Sequence, residues 1–235
     1  MFFLKKILLS LVAIFTPFMS YSFEASHYLE NRIDPTDRRY ESFLLSLQLM
    51  QNRDVKTIVE TGTTRQGINS FPSDGGSTIL FGNWAADNNA KLYSIDISEK
   101  SIEGAMGATE EYHSNIEFVC NDSITYLKNF STPIDFLYLD SFDFELKTYK
   151  LSQAHHLKEI KAAYPYLHEN SVVMIDDCTL PHGGKGKLVI EFLLKRGWQV
   201  IYSGYQVILI QRPCRISRPK EDLSYKAVLC IERKG

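Results

Sequence analysis

Five short apolar runs in this chain each stop on an acidic residue: Thr57-Ile58-Val59-Glu60, Leu92-Tyr93-Ser94-Ile95-Asp96, Phe118-Val119-Cys120-Asn121-Asp122, Phe136-Leu137-Tyr138-Leu139-Asp140 and Val172-Val173-Met174-Ile175-Asp176-Asp177. Strands covered by helices on both faces have no solvent side, so they read as unbroken apolar runs instead of alternating ones. Helix-length segments separate the five, the pattern of parallel strands joined by crossovers. In such a sheet the strands point the same way, and ligands bind beyond their carboxyl ends. The acids therefore meet along one edge. A carboxylate-lined edge suits hydroxyls, amines, cations and metal ions.

The intervening segments supply the helices. Tyr40, Phe43, Leu44, Leu47 and Met50 recur at helical spacing, with Thr36 or Asp37 as the expected N-cap of a helix over 36–50. A polar glycine turn, Thr61-Gly62-Thr63-Thr64-Arg65, follows the first strand at 55–60, and Ser73-Asp74-Gly75-Gly76-Ser77-Thr78 leads into a helix over 77–87. Ser98 or Ser101 can cap the helix carrying Ile102, Ala105 and Met106, and Asp122-Ser123 opens one carrying Ile124, Tyr126 and Leu127. A longer helix is expected over 150–167, distorted near Pro165, which lacks a backbone donor, with the fifth strand at 171–175. Gly183-Gly184-Lys185-Gly186-Lys187 opens a helix that Gly197 closes. The last two runs, 198–202 and 206–210, are joined by Ser203-Gly204-Tyr205, which is hairpin chemistry. The expected architecture is α/β: a doubly wound, Rossmann-like, mostly parallel sheet with an antiparallel C-terminal hairpin. A further strand is expected at 227–231 in the tail.

Residues 1–22 stand apart from this fold. Lys5-Lys6 precede an apolar stretch over 7–19, which fits a secretory h-region, and Ser20-Tyr21-Ser22 supplies small residues before a cleavage point after Ser22. The stretch is shorter than the roughly 20 residues of a transmembrane helix. An exported protein, periplasmic or secreted, is expected; an uncleaved segment would anchor it to a membrane, and the domain is cytosolic if the segment is no signal. Residues 23–235 then form one domain with a full core. A net charge of −2 leaves no electrostatic footprint for nucleic acid or an anionic membrane. The four cysteines show no metal-type spacing; Cys120 and Cys178 are expected to be reduced and structural, and Cys214 and Cys230 are the pair to suspect in an oxidising compartment.

The run Val59-Glu60-Thr61-Gly62-Thr63, followed by Gly76-Ser77-Thr78, resembles the first motif of class I S-adenosylmethionine-dependent methyltransferases, in the methyltransferase-24 type branch. The motif order agrees from residue 55 to about 210, with an insertion over about 64–74 between the glycine turn and the helix. The resemblance implies S-adenosylmethionine as cofactor. Glu60, Gly62 and Thr63, with Ser77, would face its amino-acid moiety, glycine allowing close backbone approach. Asp96 would accept two hydrogen bonds from the ribose hydroxyls. Asp122 and Ser123 would meet the adenine edge, Ile97 would flank the ring, and Asp140 completes the set. No Gly-x-Gly-x-x-Gly cradle and no Walker lysine follow the first strand, which argues against nicotinamide or nucleoside triphosphate.

In metal-dependent relatives of the catechol O-methyltransferase type, the ends of strands four and five supply three oxygen ligands. The resemblance therefore implies Mg2+ or another divalent cation held by Asp140, Asp176 and Asp177, orienting an acceptor and lowering the pKa of its hydroxyl. The alternative is that these acids only hydrogen-bond or cap helices, as in metal-free members. His182 and Lys185 are candidate bases, set against the plainer readings of a surface histidine and a basic helix start. His155 and Glu159 share a helix face.

The expected function is methyl transfer, to oxygen more than nitrogen, on a small hydroxylated acceptor, with the enzyme mainly aligning donor and acceptor. An exported, noncatalytic binding or effector protein that uses the inserted loop and tail as a partner surface is the rival reading. A metal hydrolase using the same acids is a third. Cofactor binding through Asp96 separates the first from both.

Overall fold

The computed structural model describes residues 24–67 and 76–211. The leader segment with its cleavage point, most of the inserted loop, Cys214, Cys230 and the strand expected at 227–231 lie outside the described residues. The elements in chain order are α1 (Tyr40–Asn52), β1 (Thr57–Thr61), α2 (Ser77–Asp87), β2 (Lys91–Asp96), α3 (Glu99–Ala108), β3 (Ile116–Cys120), α4 (Ser123–Lys128), β4 (Ile134–Leu139), α5 (Tyr149–Ala163), β5 (Leu167–Ile175), α6 (Lys187–Leu194), β6 (Gln199–Ser203) and β7 (Val207–Ile210).

The strands form one sheet in the order β3-β2-β1-β4-β5-β7-β6. β1 to β5 are mutually parallel, and β7 runs antiparallel to both β5 and β6. The winding reverses between β1 and β4, so the crevice of this sheet opens there. Alternation of side chains turns each apolar run into two half-cores. Ile58, Phe136, Tyr138, Val172, Met174, Ile208 and Ile210 enter the core beneath α1 and α2, with Phe43, Leu47, Phe81 and Trp84. Val59, Leu137, Leu139, Val173, Ile175, Val207 and Leu209 enter the opposite core, with Leu127, Ile160, Val189 and Leu193. Burial on both faces is why the runs lack polar alternation.

Two boundaries and the placement of one cysteine differ from expectation. α1 starts at Tyr40 with no side-chain cap, because Asp37 accepts the Arg39 N–H (2.7 Å) and Thr36 is bound to Asp34 (2.8 Å), which spends both expected caps in the preceding turns. The helix expected through 167 ends at Ala163; the chain tightens into a 3-10 turn, Tyr164–Tyr166, at Pro165, and β5 begins at Leu167. Cys120 is exposed at the end of the edge strand β3, so it is not a core residue. Ser98 caps α3 through the Ser101 N–H (3.2 Å), and Gly197 closes α6 at φ +85°. Among the described residues no helix is long and apolar enough to cross a membrane.

Candidate active site

The sheet ladder continues past the strand ends and sets the acids side by side. Thr61 pairs with Leu139, and Leu139 with Ile175. One residue further on, the Asp140 N–H donates to the Thr61 carbonyl (2.9 Å) and the Asp176 N–H to the Leu139 carbonyl (3.1 Å). Gly62 turns the chain at φ +83°, where a Cβ would lie 2.6 Å from the Asp140 carbonyl oxygen. Its missing side chain therefore serves the packing of β1 against β4, a requirement of the chain itself.

Asp140, Asp176 and Asp177 converge, each with an oxygen within 4.8 Å of the others. Lys185 sits among them, its Nζ 2.6 Å from Asp140 Oδ1 and 3.0 Å from Asp177 Oδ2, with its side chain only 3% exposed. Asp176 is paired with Arg39, whose Nη2 and Nε reach Oδ2 at 3.1 and 3.3 Å. The Tyr205 hydroxyl donates to Asp177 Oδ1, and Arg38 and Arg39 lie over the Tyr205 ring at 3.5 and 4.6 Å. Asp176 Oδ1 is buried without a partner among the described residues. Among the described residues, Asp140 Oδ2 has only a long contact with the Tyr138 hydroxyl, at 3.5 Å.

Burial opposes the charge of Lys185, but Asp140 and Asp177 outweigh it and push the ammonium pKa up. The same holds for Arg39 beside Asp176. Desolvation raises Asp140; Lys185 pulls the other way, and the negative charges of Asp176 and Asp177 leave the carboxyl well above the usual range. Asp177 is held below its ordinary value: burial alone would raise it, but Lys185 and the Tyr205 hydrogen bond prevail. An ammonium locked in this way has no lone pair to accept a proton, so the base role expected of Lys185 does not fit the structure. His182 lies at φ +63° on an exposed turn, its ring stacked on Tyr149 at 4.2 Å.

The cofactor-side residues cluster at the ends of β1 and β2. Asp96 is fixed by two backbone donors, Ser98 N–H to Oδ1 (2.8 Å) and Thr63 N–H to Oδ2 (3.3 Å), and each oxygen keeps a lone pair. Ile97 beside it is 76% exposed, an unusual placement for a large aliphatic group at the mouth of a crevice. The buried hydroxyls Thr61 Oγ1 and Thr64 Oγ1 have no partner among the described residues. Buried polar groups are rarely left so, and these hydroxyls flank the glycine turn. Thr63 Oγ1 lies 3.0 Å from Thr78 Oγ1.

Glu60 points inward, contrary to its expected place against a ligand. It is fully buried, accepting the hydroxyls of Ser94 (2.6 Å) and Ser77 (2.9 Å), so Ser77 too is engaged inside the protein. Desolvation raises the Glu60 carboxyl from the ordinary 4.5 to about 7, against the pull of the hydroxyls. A folded-state pKa above the unfolded one gives stability that is complete below the unfolded pKa and is lost as pH rises through the folded one. The parent should therefore lose about 3 kcal/mol through this group between pH 4.5 and 8. Glu60→Gln removes the titration, so its stability relative to the parent should rise by a similar amount over that range in urea unfolding. An unchanging difference between the two proteins would contradict the assignment.

On the adenine side, Asp122 caps α4: its Oδ1 accepts the Thr125 N–H (2.8 Å) and hydroxyl (2.7 Å), the hydroxyl bond being the main cause of its lowered pKa. The Ser123 hydroxyl donates to the buried Glu159 (2.5 Å), which also takes Ser141 (2.7 Å) and lies 3.4 Å from His155. Both expected adenine contacts thus have work within the protein. A shallow groove between α4 and α5, lined by Lys128, Lys158, Lys161 and Tyr166, is lysine-rich and lies toward the amino ends of the strands, away from the acids.

A family model described as a methyltransferase domain matches residues 73–178, from the inserted loop to just past Asp176-Asp177. The chain has a Rossmann-like methyltransferase fold. Among solved structures, this methyltransferase fold is similar to an O-methyltransferase from Bacillus cereus in complex with SAH, at 17% identity, 80% of this chain, 86% of that chain and a TM-score of 0.51. It is similar to the SAH-bound methyltransferase PaMTH1 of Podospora anserina at 15% identity, 81% and 87% coverage and a TM-score of 0.52. It also resembles the MycE methyltransferase of the mycinamycin pathway in complex with Mg, SAH and mycinamycin VI, at 13% identity, 79% of this chain, 52% of that chain and a TM-score of 0.53. No curated protein matches the sequence.

Sequence reasoning missed Arg39 and Tyr205, the groups that hold Asp176 and Asp177. Arg39 lies 137 residues from its partner, and no local pattern joins them. The hidden hydroxyls of Thr61 and Thr64 were visible only as polar letters around a glycine.

Proposed function

We propose that the methyltransferase fold of this chain transfers a methyl group from S-adenosylmethionine to the oxygen of a small hydroxylated acceptor, with Asp140 taking the proton. The supporting observation is Asp140 itself, set at the β1/β4 switch point with one oxygen ion-paired to Lys185 and the other in a long contact with the Tyr138 hydroxyl. Its side chain is 22% exposed against 1% for Asp176, so of these two it is the one that an acceptor reaches.

The described residues fit the cofactor. Asp96 retains acceptor capacity for two ribose hydroxyls, Ile97 offers an uncovered aliphatic surface for an aromatic ring, and the orphaned Thr61 and Thr64 hydroxyls line the turn beside them. When bound, S-adenosylmethionine supplies an electrophilic methyl group on a sulfonium. Asp96 fixes the nucleoside end through its two backbone-anchored oxygens. Asp140 orients the acceptor hydroxyl and accepts its proton as the new carbon–oxygen bond forms. The ammonium of Lys185 holds Asp140 in place throughout.

The carboxylate triad does not fit a divalent cation as it stands, because Lys185 Nζ already occupies oxygens of Asp140 and Asp177, and Arg39 occupies one of Asp176. No step is routed through a metal. The reading is tested by incubating the protein with methyl-labelled S-adenosylmethionine and a panel of phenols, catechols, sugars and amines. Label on oxygen, with one S-adenosylhomocysteine formed per product, supports it; transfer to amines alone, or no transfer by a protein that binds the cofactor, counts against it.

A further inference from the structure

The backbone around Lys185 is arranged to deliver its side chain into the triad. Asp177 adopts φ +56°, and Gly184 adopts φ +53° and ψ −151°, a conformation open essentially to glycine. A Cβ at Gly184 would fall 1.7 Å from the Asp177 carbonyl oxygen, so only glycine lets the segment fold back so closely. Gln153 on α5 clamps the turn, donating its Nε2 to the carbonyls of His182 (3.0 Å) and Gly184 (2.9 Å). The Lys185 N–H then reaches the Asp177 carbonyl (3.3 Å), and its side chain runs inward to two carboxylates. Such a set of constraints would be wasted on a flexible surface lysine.

Charge points the same way. With Asp140 ionised beside Lys185, three carboxylates face two cations, Lys185 and Arg39, leaving one net negative charge. A divalent ion bound to the same oxygens would stand beside the ammonium, two like charges sharing ligands. Repulsion at such contact distances is strong wherever solvent does not screen it.

We propose that the Lys185 ammonium is the resident cation of the Asp140–Asp176–Asp177 triad, filling the position a divalent ion would take and making the site metal-independent. Lys185 is a positioning residue: it orients Asp140 and Asp177 and offsets their charge. Whether the edge carries methyl transfer has no bearing on which cation fills it.

The test is titration of the full chain with Mn2+, read by electron paramagnetic resonance, for the parent, Lys185→Ala and Asp177→Asn. The parent should show no saturable site at micromolar Mn2+. Lys185→Ala exposes three carboxylates to a single guanidinium and should bind one Mn2+ on the order of 100-fold more tightly than the parent. Added Mn2+ should also raise its unfolding temperature. A parent that binds one Mn2+ tightly, with binding lost in Asp177→Asn, would overturn the proposal, as would a folded Lys185→Ala that gains no affinity. If Lys185→Ala does not fold, the parent and Asp177→Asn titrations decide it alone: saturable, Asp177-dependent binding overturns it, and none sustains it.

Discussion

Arg39→Ala is expected to destabilise the fold by about 3–5 kcal/mol, the range for breaking a buried ion pair from one side. Asp176 is 1% exposed, and Arg39 is its cation, reaching Oδ2 through two nitrogens. The other oxygen, Oδ1, has no partner among the described residues, so removal of the guanidinium would leave a buried carboxylate with no direct ion pair and no hydrogen bond to its side chain, Lys185 contacting Asp140 and Asp177 instead. The same guanidinium covers the Tyr205 ring, and Tyr205 binds Asp177, so the loss spreads to a second carboxylate. Adding Asp176→Asn should recover part of the deficit, because a neutral amide costs less to bury than an unpaired carboxylate. Urea unfolding of the two single variants and the double variant measures this directly. An Arg39→Ala protein within about 1 kcal/mol of the parent, as is typical for an exposed pair, would show that the pair is not buried as described.

Asp140→Asn should lower kcat by about 10²- to 10⁴-fold, the usual contribution of a positioned general base. Asparagine keeps the shape and can still accept a hydrogen bond from Lys185, but its amide cannot take a proton from an acceptor hydroxyl. Cofactor affinity should stay close to that of the parent, because Asp96 and the β1 turn are untouched. A variant that keeps its kcat within a few-fold would exclude Asp140 as proton acceptor, and one that loses cofactor binding would place Asp140 in the cofactor site instead.

The parallel sheet was legible because both of its faces are covered. Runs such as Phe136-Leu137-Tyr138-Leu139 carry one core in their odd positions and the other in their even positions, and their acids fall in register one step beyond the ladder. Helix ends were less legible, since they depend on local competition: Asp37 gives its oxygen to Arg39 before α1 begins, and Pro165 trades the last helical turn for a 3-10 turn. The carboxylate triad was legible as three letters, while its chemistry was not. What fills it comes from Arg39 at the start of α1, Lys185 beyond β5 and Tyr205 in the final hairpin, distant segments that only the folded sheet assembles. Glu60 shows the reverse case, a motif acid whose spacing suggests a ligand and whose burial among serines makes it part of the interior.

Calorimetric titration of the full chain with S-adenosylmethionine and S-adenosylhomocysteine, for the parent and Asp96→Ala, tests the account most directly. The parent should bind both at one site, and Asp96→Ala should lose about 10²- to 10⁴-fold in affinity, the equivalent of two charge-assisted hydrogen bonds worth about 1.5–3 kcal/mol each. A folded parent that binds neither compound, or an Asp96→Ala protein that binds as tightly as the parent, would contradict it.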